Sequence, residues 1–223
     1  MIGTFDRAPM PTNYVTIPLA DIRTELQAVA DDVQATFGPL DMRQLNWRPD
    51  AKSWSVAQVL DHLMSSNRHM IDAAAAAHGG ARPQSIWMKL PIWPGLMGRT
   101  LIKAVSPQAS RKYKAQALAQ PTASAIDPGI VARFIGQQRD LMTRASALDE
   151  RKAAKLVMAS PFLKVITYSV LDGWRIIVAH ERRHVEQGRR VIQSPGSRRT
   201  SSPGDEVRSE SRASSAGWDQ ASA

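Results

Sequence analysis

The sequence of 223 residues contains no cysteine. Disulfides, thiolate zinc sites and cysteine nucleophiles are therefore excluded, and any transition-metal site must be built from histidine and carboxylate. Long hydrophobic runs are also missing, because no stretch approaches the length of a membrane span and the first residues lack the apolar region of a signal peptide. These absences predict a cytoplasmic chain without a transmembrane segment.

Acidic residues are outnumbered, since 29 lysines and arginines against 20 aspartates and glutamates give a net charge of +9. A basic balance of this kind suggests a nucleic-acid partner. No predicted helix, however, combines a dense basic face with interleaved aromatic residues. The strongest cluster is largely the outer face of one helix: Arg182, Arg183, Arg189 and Arg190. We therefore expect no specific nucleic-acid partner.

Apolar periodicity predicts four long helices. They cover residues 17–37, 55–77, 128–148 and 171–192. Ser55-Val-Ala-Gln58 has the form of a capping box at the start of the second helix. Asp127-Pro128 resembles an N-cap followed by proline at the first helical position. Four long helices with no run of alternating strands predict an all-α four-helix bundle.

The segments outside the helices suggest the domain boundaries. We predict an N-terminal extension over 1–16, the bundle over 17–193 and a tail over 194–223. The tail is rich in Ser, Arg and Gly, so it cannot bury a core and is expected to be disordered. The long connection 81–126 between the second and third helices is interpreted as a short helix or loop packed across one end of the protein. Residues 161–168 are predicted to include an extended stretch.

Two histidines, His180 and His184, stand four residues apart in the last predicted helix. This spacing places both imidazoles on one face, one turn apart, and a helical wheel assigns that face to the apolar stripe. Arginine recurs on the opposite side, which we predict to face solvent: Arg175, Arg182 and Arg189. His62, on the apolar face of the second helix, is the candidate third ligand. A buried pair with a distant third histidine favours a divalent metal, with hydrogen-bonded core histidines as the alternative.

His180-Glu-Arg-Arg-His184 formally matches the H-E-x-x-H motif of zinc proteases, in which the glutamate is the general base. The two intervening arginines, and the lack of a third ligand at the family spacing, argue against a protease. Gln187 lies one turn past His184 and is interpreted as orienting a bound group or capping the core. His69 is interpreted as a structural histidine, with a proton shuttle as the alternative, and His78 as a surface residue.

Three stretches resemble the DinB/YfiT superfamily of damage-inducible, metal-binding four-helix proteins. Leu45-Asn-Trp-Arg-Pro and Trp54-Ser-Val-Ala-Gln-Val-Leu-Asp-His62-Leu resemble the connector and first histidine of the family. His180-Glu-Arg-Arg-His184-Val-Glu-Gln resembles its paired late histidines. The resemblance covers roughly residues 17–193. It implies an up-down-down-up bundle that holds a divalent metal, usually zinc or nickel, through His62, His180 and His184.

The resemblance also implies a function. Several relatives, from bacteria, are S-transferases or isomerases that use bacillithiol, mycothiol or a similar low-molecular-weight thiol with a small-molecule substrate, and relatives often form homodimers. Three imidazoles leave a coordination position open, as catalytic sites do. The expected function is therefore a metal-dependent S-transferase or hydrolase. The alternative is a non-catalytic bundle, metal-binding or metal-free, that acts as a dimeric interaction module.

Overall fold

The computed structural model describes residues 12–80, 92–109, 120, 125–163 and 165–197. Within these ranges the helices are α1 (Leu19–Phe37), α2 (Met42–Asn46), α3 (Val56–His78), α4 (Trp93–Val105), α5 (Ile130–Ser146), α6 (Glu150–Lys155) and α7 (Val170–Gln193), and the strands are β1 (Val157–Ala159) and β2 (Thr167–Ser169). Most of the predicted extension 1–16 and of the predicted tail 194–223 lies outside the described residues. The boundaries of the bundle at 17 and 193 stay a prediction.

The long helices α1, α3, α5 and α7 confirm the predicted all-α bundle. Helices α1 and α3 each pack against α5 and α7. Two buried apolar clusters reveal the direction of each helix. The first includes Ile22, Met70, Leu141 and Ile177, and the second includes Val33, Leu60, Phe134 and Val185. The N-terminal halves of α1 and α7 lie in the first cluster and their C-terminal halves lie in the second. In α3 and α5 the N-terminal halves lie in the second cluster and the C-terminal halves in the first. The bundle therefore runs up-down-down-up, as the family resemblance implied.

The starts of α3 and α5 show how local sequence positions the helices. At α3 the predicted capping box is confirmed, because the Ser55 hydroxyl accepts a hydrogen bond from the Gln58 amide and the Gln58 side chain accepts one from the Ser55 amide. Helix α5 begins at Ile130 instead of at the predicted proline. The Asp127 carboxylate accepts a hydrogen bond from the amide of Gly129 and pairs with Arg133, both at 2.9 Å. These contacts form a turn before the helix.

The connections contain more regular structure than the sequence indicated. The long connection 81–126 includes α4, which packs against α7 and β2. Residues 149–169 form α6 and an antiparallel hairpin in which Met158 lies opposite Tyr168. Both side chains are buried in the first apolar cluster, so the hairpin closes that end of the bundle. No described helix combines the length and the hydrophobicity that a membrane crossing needs.

A polar layer separates the two apolar clusters. Along α7 the first cluster ends at Ala179 and the second begins at Val185. Along α3, which runs the other way, the second cluster ends at Leu63 and the first begins at Met70. The buried polar side chains at this level are Ser66, Asn67, Gln138 and Glu181. The candidate site lies at this level of the bundle.

Candidate metal centre

The structure brings together three histidines that lie far apart in the sequence. His62 comes from α3, and His180 and His184 come from α7. Their ligand atoms all lie within 4.8 Å of one another. The Nε2 atoms of His62 and His180 are 3.3 Å apart, and the ring of His184 has its centre 4.7 Å from that of His62 and 4.5 Å from that of His180. This cluster could hold a divalent metal.

Two observations test whether a metal fits these residues. With metal–nitrogen bonds of about 2.0–2.1 Å, two nitrogens of a tetrahedral site are about 3.3–3.4 Å apart. The 3.3 Å between the Nε2 atoms of His62 and His180 has this length, which is also the length of a hydrogen bond between two imidazoles. In addition, Nδ1 of His184 is buried and has no hydrogen-bond partner among the described residues. An unpaired buried nitrogen is unfavourable, so both observations fit a divalent metal that imidazole ligates.

Desolvation keeps two of the imidazoles, those of His180 and His184, in the neutral form that binds metal. Desolvation lowers the pKa of His180 well below its ordinary value, and the neighbouring His184 and His62 lower it further. Desolvation, followed by the effect of His62, lowers the pKa of His184 to about 3. Because metal ligation requires neutral imidazole, these two side chains can bind a metal at neutral pH without first losing a proton.

Trp54 and Gln187 contact the histidines directly. The Trp54 ring lies 4.8 Å from the ring of His62, and it stacks against His184 at 6.2 Å with 22° between the planes. Because Trp54 immediately precedes the N-cap residue of α3, the capping box fixes where this ring enters the bundle. Gln187 forms a hydrogen bond with His184, which partly offsets the lowering of its pKa. In this structure Gln187 therefore orients an imidazole.

Glu181 is a buried residue that the sequence analysis considered only as a protease base. Its Oε1 accepts hydrogen bonds from Nδ2 of Asn67 at 2.7 Å and from Nε2 of Gln138 at 2.6 Å. Burial raises the pKa of Glu181 to about 7, and the two hydrogen bonds oppose that shift. The carboxyl group thus links α7 to α3 and α5 beside the histidines. This structural role agrees with the rejection of the H-E-x-x-H protease motif.

A sequence signal for Glu181 existed. It lies one turn after Ile177 and two turns before Gly188, and both of these residues are buried. The periodicity of α7 therefore already placed Glu181 on the inner face. The sequence did not indicate, in contrast, that Asn67 and Gln138 would be its hydrogen-bond partners, because they come from two other helices.

The prediction that the arginines of α7 face solvent was wrong. Arg182 is only partly exposed, and it donates hydrogen bonds to Glu25 at 2.7 Å and to Asp32 at 2.6 Å. Arg175 pairs with Asp172 at 3.0 Å and is also largely shielded from solvent. The carboxylates that hold Arg182 come from α1, which packs over this side of α7. A helical wheel of one helix cannot show such a neighbour.

The other two described histidines of the helices lie apart from the cluster. The ring of His69 packs edge-on against Phe162, with 6.1 Å between the ring centres. His78, at the exposed end of α3, forms a 2.9 Å hydrogen bond with the carbonyl oxygen of Ala74. These contacts agree with the structural and surface roles that the sequence suggested for them.

Comparison with known proteins supports the family resemblance. The family model described as DinB superfamily matches residues 25–187. The matched span is more than half of the chain, extends from α1 to α7 and contains all three histidines of the cluster. No curated protein and no solved structure matched the chain in the corresponding comparisons.

Proposed function

The chain belongs to the DinB superfamily, and from this premise we propose that it is a metal-dependent enzyme whose ligands are His62, His180 and His184. The reaction class that we propose is S-transfer with a low-molecular-weight thiol and a small-molecule substrate. Zinc or nickel is the proposed metal. The homodimer known among relatives is the proposed assembly, and the cytoplasm the proposed location.

One observation carries this proposal. Three imidazoles converge at the level of the polar layer of the bundle, and two of their nitrogens stand 3.3 Å apart. No described cysteine, aspartate or glutamate joins this cluster. Among the described residues the protein thus supplies three donors, and catalytic metal sites characteristically combine three protein ligands with an open position.

The chemistry of the site follows from these donors and their surroundings. When bound, a divalent metal supplies Lewis acidity, which lowers the pKa of a water or thiol ligand towards neutrality. His62, His180 and His184 provide the lone pairs for ligation, and Gln187 holds the ring of His184. Trp54 lies against two of the imidazoles and shields that side from water.

The thiol in this proposal must come from outside the chain, because the sequence has no cysteine. In S-transfer, the sulfur of the thiol forms a bond to an electrophilic carbon of the second substrate. The leaving group departs with the electron pair of its bond to that carbon, and the thiol proton goes to solvent. No oxidant or reductant is needed for this exchange.

Metal content measured by elemental mass spectrometry on tag-free protein tests the site. We expect about one metal per chain in the wild type, and a sharp loss in His62→Ala and in His184→Ala with the helical circular dichroism retained. His69→Ala is the matched control, because it removes an imidazole from α3 outside the cluster, and its metal content should equal that of the wild type.

A second measurement tests the reaction class. Loss of free thiol in the presence of a low-molecular-weight thiol and an alkyl halide should be faster with wild-type protein than with His184→Ala. Hydrolysis of an activated ester without thiol consumption would instead assign the site to a hydrolase. Metal binding that survives both histidine substitutions would refute the ligand set. A wild type that takes up no metal after reconstitution would favour the non-catalytic bundle.

A further inference from the structure

One stretch of the chain carries most of its net positive charge. Residues 73–126 contain no aspartate or glutamate. They contain seven cations, which are Arg82, Lys89, Arg99, Lys103, Arg111, Lys112 and Lys114. Because the net charge of the whole chain is +9, the rest of the sequence is close to neutral. The stretch contains the C-terminal end of α3 and the whole of α4.

The outer face of α4 combines apolar side chains with cations. Ile92, at the start of the helix, is 78% exposed, and Leu96 is 52% exposed. Arg99 and Lys103 are exposed as well. The steps between these four residues are four, three and four, so all four lie on one face. The opposite side of α4 packs against α7 and β2.

Exposed apolar surface is concentrated at α4 and at the element beside it. Among the described residues, four of the five large hydrophobic side chains with high exposure lie here: Ile92, Leu96, Leu163 and Val165. The last two belong to the turn between β1 and β2, and β2 is in contact with α4. This part of the molecule therefore presents apolar side chains to its surroundings next to a basic helix.

Hydrogen bonds join helix α4 to the bundle beside the candidate metal centre. The Arg183 guanidinium donates hydrogen bonds to the carbonyl oxygens of Ala104 at 3.0 Å and Ser106 at 3.3 Å. These two residues lie at the C-terminal end of α4, and Arg183 immediately precedes His184. These hydrogen bonds hold α4 in position, so the helix is ordered without a bound partner.

We propose that the face of α4 formed by Ile92, Leu96, Arg99 and Lys103 docks on a membrane surface that contains anionic phospholipid. An interfacial helix inserts apolar side chains at the boundary of headgroups and acyl chains, and its cations attract anionic headgroups. The face of α4 offers both kinds of contact, within a stretch that contains no acidic residue.

Two other occupants fit these observations less well. A second copy of the chain, related by a two-fold axis, would place Arg99 and Lys103 near their own copies without a carboxylate of this stretch to compensate. A nucleic acid would neutralise the cations through its phosphates but would provide little apolar surface for Ile92 and Leu96. An anionic membrane accounts for the cations and the exposed aliphatic side chains together.

Co-sedimentation of the full chain with vesicles tests the proposal. One vesicle preparation contains phosphatidylcholine alone, and the other contains phosphatidylcholine with phosphatidylglycerol. We expect binding to the second preparation and little to the first. A rise in salt from about 0.1 M to about 1 M should weaken that binding, because the Debye length falls from about 10 Å to about 3 Å.

Two double variants separate the charged and the apolar contributions. Arg99→Gln with Lys103→Gln should lower the partition coefficient by about 30-fold, because each cation near an anionic surface contributes roughly a factor of five. Ile92→Ser with Leu96→Ser should also lower binding to the phosphatidylglycerol vesicles. All four side chains are exposed, so both variants should keep the helical circular dichroism of the wild type.

The matched controls remove the same chemistry from other exposed positions. Arg23→Gln with Arg139→Gln removes two exposed cations from α1 and α5. Met42→Ser removes an apolar side chain of α2 that is 53% exposed. Vesicle binding by both controls should equal that of the wild type, and a reduction as large as that in the α4 variants would contradict the assignment to this face.

Three further results would overturn the proposal. The first is equal binding to both vesicle preparations, or binding to neither. The second is a dimer that becomes a monomer in Ile92→Ser with Leu96→Ser, measured by sedimentation velocity, while vesicles are not bound. The third is tight binding of an oligonucleotide that Arg99→Gln with Lys103→Gln abolishes, again without vesicle binding.

Discussion

Gly188 on α7 packs directly against the side chain of Phe37 at the end of α1. A Cβ atom at Gly188 would lie 2.6 Å from Cζ of the Phe37 ring, which is closer than a Cβ atom approaches a non-bonded atom in proteins. Phe37 has an exposure of 0%, so its ring has no free space into which it can turn. The substitution Gly188→Ala should therefore force the two helices apart or strain the ring.

Two opposing terms determine the size of the effect. Overpacking a core contact typically destabilises by about 1–3 kcal/mol. Alanine in a helix interior is more favourable than glycine by roughly 0.8–1.0 kcal/mol. We expect the first term to win, with a net loss of about 1 kcal/mol. For a chain of this size, that loss lowers Tm by about 2–4 °C.

Gly136 provides the control for helix propensity. It lies inside α5, it is exposed, and a Cβ atom there would meet no atom within 4 Å. Gly136→Ala makes the same chemical change without a packing conflict and should stabilise the chain by about 0.5–1 kcal/mol. The difference between the two alanine variants therefore reports the contact with Phe37.

Urea unfolding, followed by circular dichroism at fixed metal occupancy, measures both variants. Phe37→Leu shortens the side chain opposite Gly188, so the combined variant should lose less stability than the sum of the single changes, by about 1 kcal/mol. The reasoning is refuted if Gly188→Ala stabilises the protein as Gly136→Ala does, or if the effects of the two core substitutions simply add.

Two further predictions concern the polar layer. Glu181→Ala leaves the side-chain amide of Gln138 without its acceptor and removes one of the two acceptors of Asn67, which keeps its hydrogen bond to Gln137. The substitution should destabilise by about 1–3 kcal/mol in urea unfolding, whereas Glu181→Gln retains an acceptor oxygen and should lose much less; equal losses would contradict the role of the hydrogen bonds. In metal-free protein, the pKa of His184 is about 3 in the folded state, whereas it is near 6.5 in the unfolded chain. As the pH decreases, the unfolded chain therefore takes up the proton first, and stability falls below about pH 6.5. Between pH 7 and pH 5 the wild type should therefore lose up to about 2 kcal/mol more than His184→Gln, and the same loss in both proteins would contradict this pKa.

The four long helices could be predicted because their signals are local. The apolar side chains of α1 recur at the helical period, and the hydrogen bonds of the capping box at α3 involve residues only three positions apart. The start of α5 was misplaced for an equally local reason, because the Asp127 carboxylate can accept from a turn or from a helix. The sequence alone does not show which of these two partners it takes.

The short elements were harder to predict. Helix α2 has five residues and each strand has three. Segments of this length contain too few side chains for a period to be recognised. Met158 and Tyr168 stabilise the hairpin through burial in the first apolar cluster, and that cluster exists only once the long helices have packed.

The sequence by itself determined that His180 and His184 share one face of α7, since a spacing of four residues allows little else on a helix. It also determined that any thiol must be supplied from outside, because the chain has no cysteine. Tertiary structure decided the rest of the site. It brought His62 to within 3.3 Å of His180, and it placed the amides of Asn67 and Gln138 around the carboxylate of Glu181. These contacts join separate helices, and their geometry depends on how the apolar faces of those helices pack, which no pattern within a single helix contains.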